Sequence, residues 1–167
     1  GATPEPFAFL KNNEFQTSFT YSIDNTYSPL NGNEIVDAGI EGFLKLIPYV
    51  LTFRPQLTEI EIINDRTSTT KWTFQKDKVE NKINNLIIIK TICHKNDKHI
   101  EDILIGNIIE GKTVIAFPID LMEDDKYQLL PSPEGSSRLF CAFPMIGTDN
   151  FNFPVVVHSE EFVPNRE

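Results

Sequence analysis

EDILIGNIIEGKTVIAFPI, residues 101–119, decides the fold, because its centre can be read in two incompatible ways. Gly106-Asn107-Ile108-Ile109-Glu110-Gly111-Lys112-Thr113 matches the phosphate-binding pattern GxxxxGKT. In such loops successive backbone N–H groups cradle phosphate, the Lys neutralises it and the hydroxyl holds magnesium. The preceding EDILI reads as the required strand. The residues after the loop do not fit. The pattern needs a helix beginning at Lys112, yet TVIAF, residues 113–117, is β-branched and aromatic, with Pro118 behind it. Glu110 would oppose the phosphate charge, and Ile108 and Ile109 suit a tight glycine-rich turn poorly. The other reading is a β-hairpin, with strands over 100–109 and 113–119 and a turn at Glu110-Gly111-Lys112. We favour the hairpin, which makes Gly106, Gly111, Lys112 and Thr113 a decoy phosphate loop.

Outward from the hairpin the chain is strand after strand. LIIIKTIC, residues 86–93, is dense in β-branched residues and is expected to be a central strand. Thr70–Gln75 reads as a short aromatic strand, and Leu57–Ile63 alternates with Glu59 and Glu61 facing outward. Residues 120–137 turn acidic and then Pro- and Ser-rich, a long loop, before strands over Arg138–Met145 and Phe153–His158. Near the start, Phe15, Thr17, Phe19, Tyr21 and Ile23 share one face of a period-two strand between loops at 1–13 and 24–33. One amphipathic helix follows. Asn33 caps it, Glu34 and Asp37 sit in its first turn, and Pro48 and Pro55 bracket its end. Ile35, Gly39, Gly42, Phe43, Leu46, Ile47 and Val50 fall on one face, where the glycines would let a sheet approach closely. About eight strands to one helix predicts an α+β fold with a largely antiparallel sheet.

Composition narrows the function classes. The chain's 167 residues suffice for one domain with a core, or one domain and part of another. A net charge of -9 with scattered lysines argues against a nucleic-acid or anionic-membrane surface. No run of about 18 apolar residues exists to span a bilayer, and GATPEPFAFL lacks the basic start of a signal peptide. Cys93 and Cys141 lie in apolar runs, as free thiols of a reducing, cytoplasmic compartment do; a secreted chain with one bridge is the alternative. The opening Gly1-Ala2 without a Met, and the stop at Asn165-Arg166-Glu167, lead us to expect truncation at both ends.

Other motifs weigh less. Asp37-Ala38-Gly39-Ile40-Glu41-Gly42 approaches the DxGxG box that reads adenine in gyrase, heat-shock chaperones, histidine kinases and MutL. Its spacing is one residue too long and it lies within the helix, so it reads as a packing face. Cys93, His94, His99, Cys141 and His158 offer metal-ligand types without CxxC or HxxxH spacing, so no metal is expected. Adjacent residues on a strand also face opposite ways, which separates Cys93 from His94. There is no GxSxG elbow, and Glu123-Asp124-Asp125 reads as a solvated loop.

RLFCAFPMIGTDNFNFPVVVHSEEFVPNRE, residues 138–167, has a spacing of its own: Arg138, Phe140-Cys141, Phe143-Pro144, Phe153-Pro154-Val155-Val156-Val157-His158, Phe162 and Asn165-Arg166. It resembles the segment after the ATP-binding domain in sacsin-like, chaperone-type ATPases. QTSFTYSI, a helix and PYVLTFRPQLTEIEII are similar to the closing elements of the heat-shock chaperone nucleotide domain. The resemblance implies that residues 1–66 end an ATP-binding-domain-like region and that 67–167 begin a strand-rich middle domain. It implies a non-catalytic coupling segment whose partners are the upstream ATP-binding domain, downstream regions of the same protein and protein clients. ATP and magnesium would then belong to the full-length protein and no cofactor to this chain, with Arg166 as a contact to the ATP γ-phosphate. The alternatives are a stand-alone protein-binding β-rich module and, behind it, a phosphate-loop NTPase through Gly106–Thr113.

Overall fold

Apolar residues recur with period two at Ile60 and Ile62 and at Trp72 and Phe74, and a sheet is the structure that puts such residues on one face. The computed structural model describes residues 32–64, 68–83, 85–123, 126–141 and 143–162. The strand expected at Phe15–Ile23, and Arg166, lie outside the described residues. The chain divides into two compact units, Gly1–Asp37 and Ala38–Glu167. The helix and strands of the described residues belong to the second unit, apart from the helix's opening turns.

That helix, α1 (Gly32–Phe53), ends between Pro48 and Pro55 as expected, with Pro48 inside its last two turns. Proline has no N–H to give the Leu44 carbonyl, a local loss outweighed by the burial around it. Ile47, Tyr49, Val50, Leu51 and Phe53 are all buried. The apolar face expected from Ile35 onward is therefore wrong in its first half: Ile35 is 47% exposed and Phe43 40%. Gly39 and Gly42 are exposed, and a Cβ added at either would touch nothing. Neither glycine serves a close approach.

The strands are β1 (Glu59–Asn64), β2 (Thr70–Ile83), β3 (Leu86–Lys95), β4 (Lys98–Glu110), β5 (Thr113–Leu121), β6 (Tyr127–Leu129), β7 (Leu139–Cys141), β8 (Phe143–Pro144) and β9 (Val156–Ser159). They form one sheet in the order β1-β2-β3-β4-β5-β9-β7-β8, with β6 also on β5. Adjacent strands run antiparallel except β7 and β9. The sheet is thus mixed: the chain crosses over before β9, which inserts between β5 and β7 and lies parallel to the latter. α+β holds in the coarse sense of one helix on a mostly β body.

The hairpin reading of residues 101–119 describes what is seen. Glu110 pairs with Thr113 across a two-residue turn, Gly111-Lys112, and Gly111 takes φ +57 as such a turn requires. Gly106 sits opposite Phe117, and a Cβ there would come within 2.7 Å of Phe117 Cε2. The ring lies over the glycine, so the first glycine of the pattern makes room for an aromatic side chain. β3 is central, between β2 and β4, as its composition predicts.

Three expectations about the strands also fail. β2 runs on to Ile83 through KDKVENKI, a polar stretch whose ladder partner β3 holds it extended without an apolar pattern. The loop expected over 120–137 contains β6, which uses the half of β5's edge that β9 leaves open: β9 pairs with Thr113–Ala116 and β6 with Ile119–Leu121. The single strand expected over Arg138–Met145 is two, with Phe140 opposite Pro144 and Cys141 opposite Phe143.

The core lies between the last turns of α1 and one sheet face. Tyr49, Val50 and Phe53 pack with Ile105, Ala116, Phe140 and Val156, while Ile47 and Leu51 pack with Phe74 and Cys93. No helix among the described residues is long and apolar enough to cross a membrane. Lys76 on β2 closes the end of α1. Its ammonium donates to the carbonyls of Leu51 (3.1 Å) in the last turn and of Arg54 (3.0 Å) and Pro55 (3.1 Å) just beyond it; four residues after Leu51 stands Pro55, which has no N–H to offer. Lys76→Met should keep the aliphatic stem and lose all three bonds. We expect it to lower unfolding free energy by about 1–3 kcal/mol, read as a lower urea midpoint with unchanged slope.

Candidate functional site

Strand alternation puts Trp72 and Phe74 of β2, Cys93 of β3 and Ile103 and Ile105 of β4 on the sheet face under α1. Leu44, Pro48 and Tyr49 face them from the helix, and Pro118 and Pro133 complete the wall. Between them lies a groove of about 400 Å³. Its wall is aromatic, branched aliphatic and proline, and its rim carries Lys45, Lys95 and Glu101. The Lys95 ammonium stands 5.2 Å from the Trp72 ring centroid, a cation–π contact that orients the indole.

The thiol and the phenol in the groove wall are held neutral. Burial, then the Glu101 charge, pushes the Cys93 thiol up, which keeps it from acting as a thiolate nucleophile. Burial also pushes the Tyr49 phenol up, against the opposing pull of nearby Ser132 and the Arg138 charge. The phenol oxygen is shut off from water and makes no hydrogen bond. Ser132 lies near it and gives its own hydroxyl proton to the Pro154 carbonyl at 3.3 Å.

The opposite sheet face holds a polar cleft of about 340 Å³ lined by Glu59, Glu61, Lys71, Thr73, Gln75, His94 and Asp97. Its charges are largely matched: Lys71 pairs with Glu61, and Gln75 Nε2 donates to Glu59 Oε2 at 2.7 Å. Cys93 and His94 do face opposite ways, one lining the groove and the other the cleft. Sequence reasoning missed that His94 pairs with His99 across the β3–β4 turn, their rings 5.7 Å apart. The signal was present in HKNDKH, residues 94–99, where Asn96 and Asp97 supply the two positive φ values of a tight turn and bring the histidines together. His99 Nε2 lies 2.9 Å from Asp102, whose carboxyl is held low first by that hydrogen bond and also by Lys90 and the two histidines. Among the described residues no three His, Cys, Asp or Glu gather as a metal site.

The remaining sequence candidates are dispersed. Lys112 is exposed and 3.8 Å from Glu161, and the Thr113 hydroxyl donates to Ser159 Oγ at 3.2 Å. The Asp37–Gly42 segment lies along α1. Cys141 and Cys93 are free thiols, the former 3.1 Å from the Phe162 carbonyl. His158 is in the core, its ring stacked on Phe53 at 5.0 Å and its Nδ1 donating to the Phe140 carbonyl at 3.2 Å. Comparison with models of known families, with curated proteins and with solved structures gave no match.

His158 makes stability depend on pH. Burial lowers its pKa, and the bond to Phe140 only partly opposes this. The unfolded chain takes up a proton near the ordinary value of about 6.5, whereas the folded chain does so only at lower pH. Stability is therefore full above that value and falls as pH drops toward the folded pKa. In His158→Gln the difference in urea midpoint between pH 7 and pH 5 should shrink relative to the parent chain.

Proposed function

We propose that this chain is a β-rich binding module and that the groove under the C-terminal half of α1 takes the apolar body of a small ligand. The composition of the groove wall carries the reading: Trp72, Phe74 and Ile103 border an open space of about 400 Å³. Small-molecule sites fall within about 300–1,000 Å³ and combine such walls with a few polar groups. A ligand burying about 200 Å² of apolar surface gains about 5 kcal/mol before the costs of ordering. That points to Kd values of hundreds of micromolar or weaker.

Trp72 is the only tryptophan, so its emission reports the groove alone. N-phenyl-1-naphthylamine, an uncharged dye of suitable size, should take up excitation energy from Trp72 with saturable dependence. Ile100 lines the groove and is 54% exposed, so Ile100→Asp places a charge in the groove without opening the core. It should weaken dye binding by about tenfold or more. Saturation that is indifferent to this substitution would place the dye elsewhere and end the proposal.

A second reading sets the module within a sacsin-like ATPase as its coupling segment. It is supported by one contact: Phe53, in the first stretch that carries the resemblance, packs edge-on against Phe140 at 5.1 Å and stacks on His158, both in the second. In this reading a nucleotide-driven shift of α1 passes to β7 and β9 through those rings. ATP and magnesium are held upstream, and Arg166 reaches the γ-phosphate from outside the described residues. Calorimetry of this chain with magnesium–ATP should then show no saturable heat. Lys112→Ala should change stability by less than about 0.5 kcal/mol, since its ion pair is exposed. Saturable binding abolished by Lys112→Ala would instead favour the phosphate-loop reading.

A further inference from the structure

Behind the groove wall lies a group of donors with nothing to donate to. Tyr49 Oη, Ser136 Oγ, Arg138 Nε and Arg138 Nη1 are all shut off from water, and none makes a hydrogen bond. Tyr49 and Ser136 are each 1% exposed. Native structures pair the great majority of such atoms, so a set of this kind calls for a missing partner. The atoms are related in space. Phe140, two residues from Arg138, packs its ring 6.4 Å from that of Tyr49, and the Ser136 N–H donates at 3.2 Å to the carbonyl of Pro133, which lines the groove with Tyr49. Among the described residues no carboxylate forms an ion pair with Arg138.

The chemistry of the set selects its partner. A guanidinium offers donors only, and both hydroxyls can donate, so the complementary group is an acceptor with several lone pairs and a negative charge. A single water accepts about two hydrogen bonds, whereas an oxyanion offers more lone pairs and a charge opposite to that of Arg138. We propose that the groove's ligand is amphipathic, its apolar body lying against Trp72 and Phe74 and its oxyanion, a carboxylate, sulfonate or phosphate, bound by Arg138 and Tyr49 with Ser136 beside them. The proposal rests on the groove reading for the apolar body and adds the head group. The segment from Leu130 to Ser137, between β6 and β7, brings Ser136 to this set, and Ser132 anchors it to the Pro154 carbonyl.

Two dyes with one scaffold test the head group separately from the groove. 8-Anilinonaphthalene-1-sulfonate carries the oxyanion and N-phenyl-1-naphthylamine lacks it. The parent chain should bind the sulfonate at least about tenfold more tightly, the worth of a charge-assisted bond. Arg138→Met should erase that preference while leaving the uncharged dye within about twofold. Tyr49→Phe, which keeps the ring and removes the hydroxyl, should reduce the preference severalfold; it decides the matter if circular dichroism shows that Arg138→Met does not fold. Equal affinity for both dyes in the parent chain overturns the oxyanion and spares the groove. Failure of both dyes to bind overturns both. A preference for the sulfonate that survives both substitutions overturns the assignment to Arg138 and Tyr49.

Discussion

The ammonium of Lys76 beneath the last turn of α1 is the constraint on which the rest of the structure depends. The Leu51 carbonyl in the last turn, denied an amide donor by Pro55, and the Arg54 and Pro55 carbonyls just beyond the helix converge on one side chain from β2. The Lys76 backbone N–H is also engaged, donating to the Thr58 carbonyl at 2.8 Å, so the strand, the segment after the helix and the helix end meet at one residue. Burial pulls the Lys76 pKa down, the cost of bringing a cation to the helix–sheet seam. With α1 held there, its aromatic tail lands on the sheet. Phe53 then meets Phe140 and His158, and Tyr49 reaches over the groove.

The groove arises from that geometry together with Pro48. Above the last two turns of α1 the helix face no longer buries large side chains: Gly39 and Gly42 touch nothing, and Phe43 is exposed. The sheet face below stays apolar as far as Trp72 and Ile100. An apolar floor without an equally apolar roof leaves open space, and Tyr49, whose phenol is unpaired, stands in its wall. Sheet and helix are complementary at the Phe53 end and not at the Leu44 end.

The fold was legible where local chemistry and long-range pairing agree. TVIAFP after Gly111-Lys112 excludes a helix by β-branching and proline alone, whatever it packs against. LIIIKTIC reads as central because both faces of such a strand must be covered. The failures share one physical cause. KDKVENKI is extended because β3 pairs with it, and YQL at 127–129 because half of β5's edge is vacant; neither has an apolar pattern of its own. The groove was equally hidden, since Tyr49, Trp72, Ile103 and Pro133 are distant in sequence. Only HKNDKH announces a spatial pairing locally, because its Asn-Asp turn forces the flanking histidines across from one another.

By itself, then, the sequence determined the strand–turn–strand nature of Gly106–Thr113, the presence of one helix and the mostly β character of the chain, because steric and propensity effects act within a few residues. Tertiary structure alone decided that β9 inserts parallel to β7, that α1 buries its end rather than its beginning, and that Tyr49, Ser136 and Arg138 lose water without gaining partners. Those outcomes depend on which surfaces meet, and desolvation is a property of surroundings that no residue carries in its own neighbourhood along the chain.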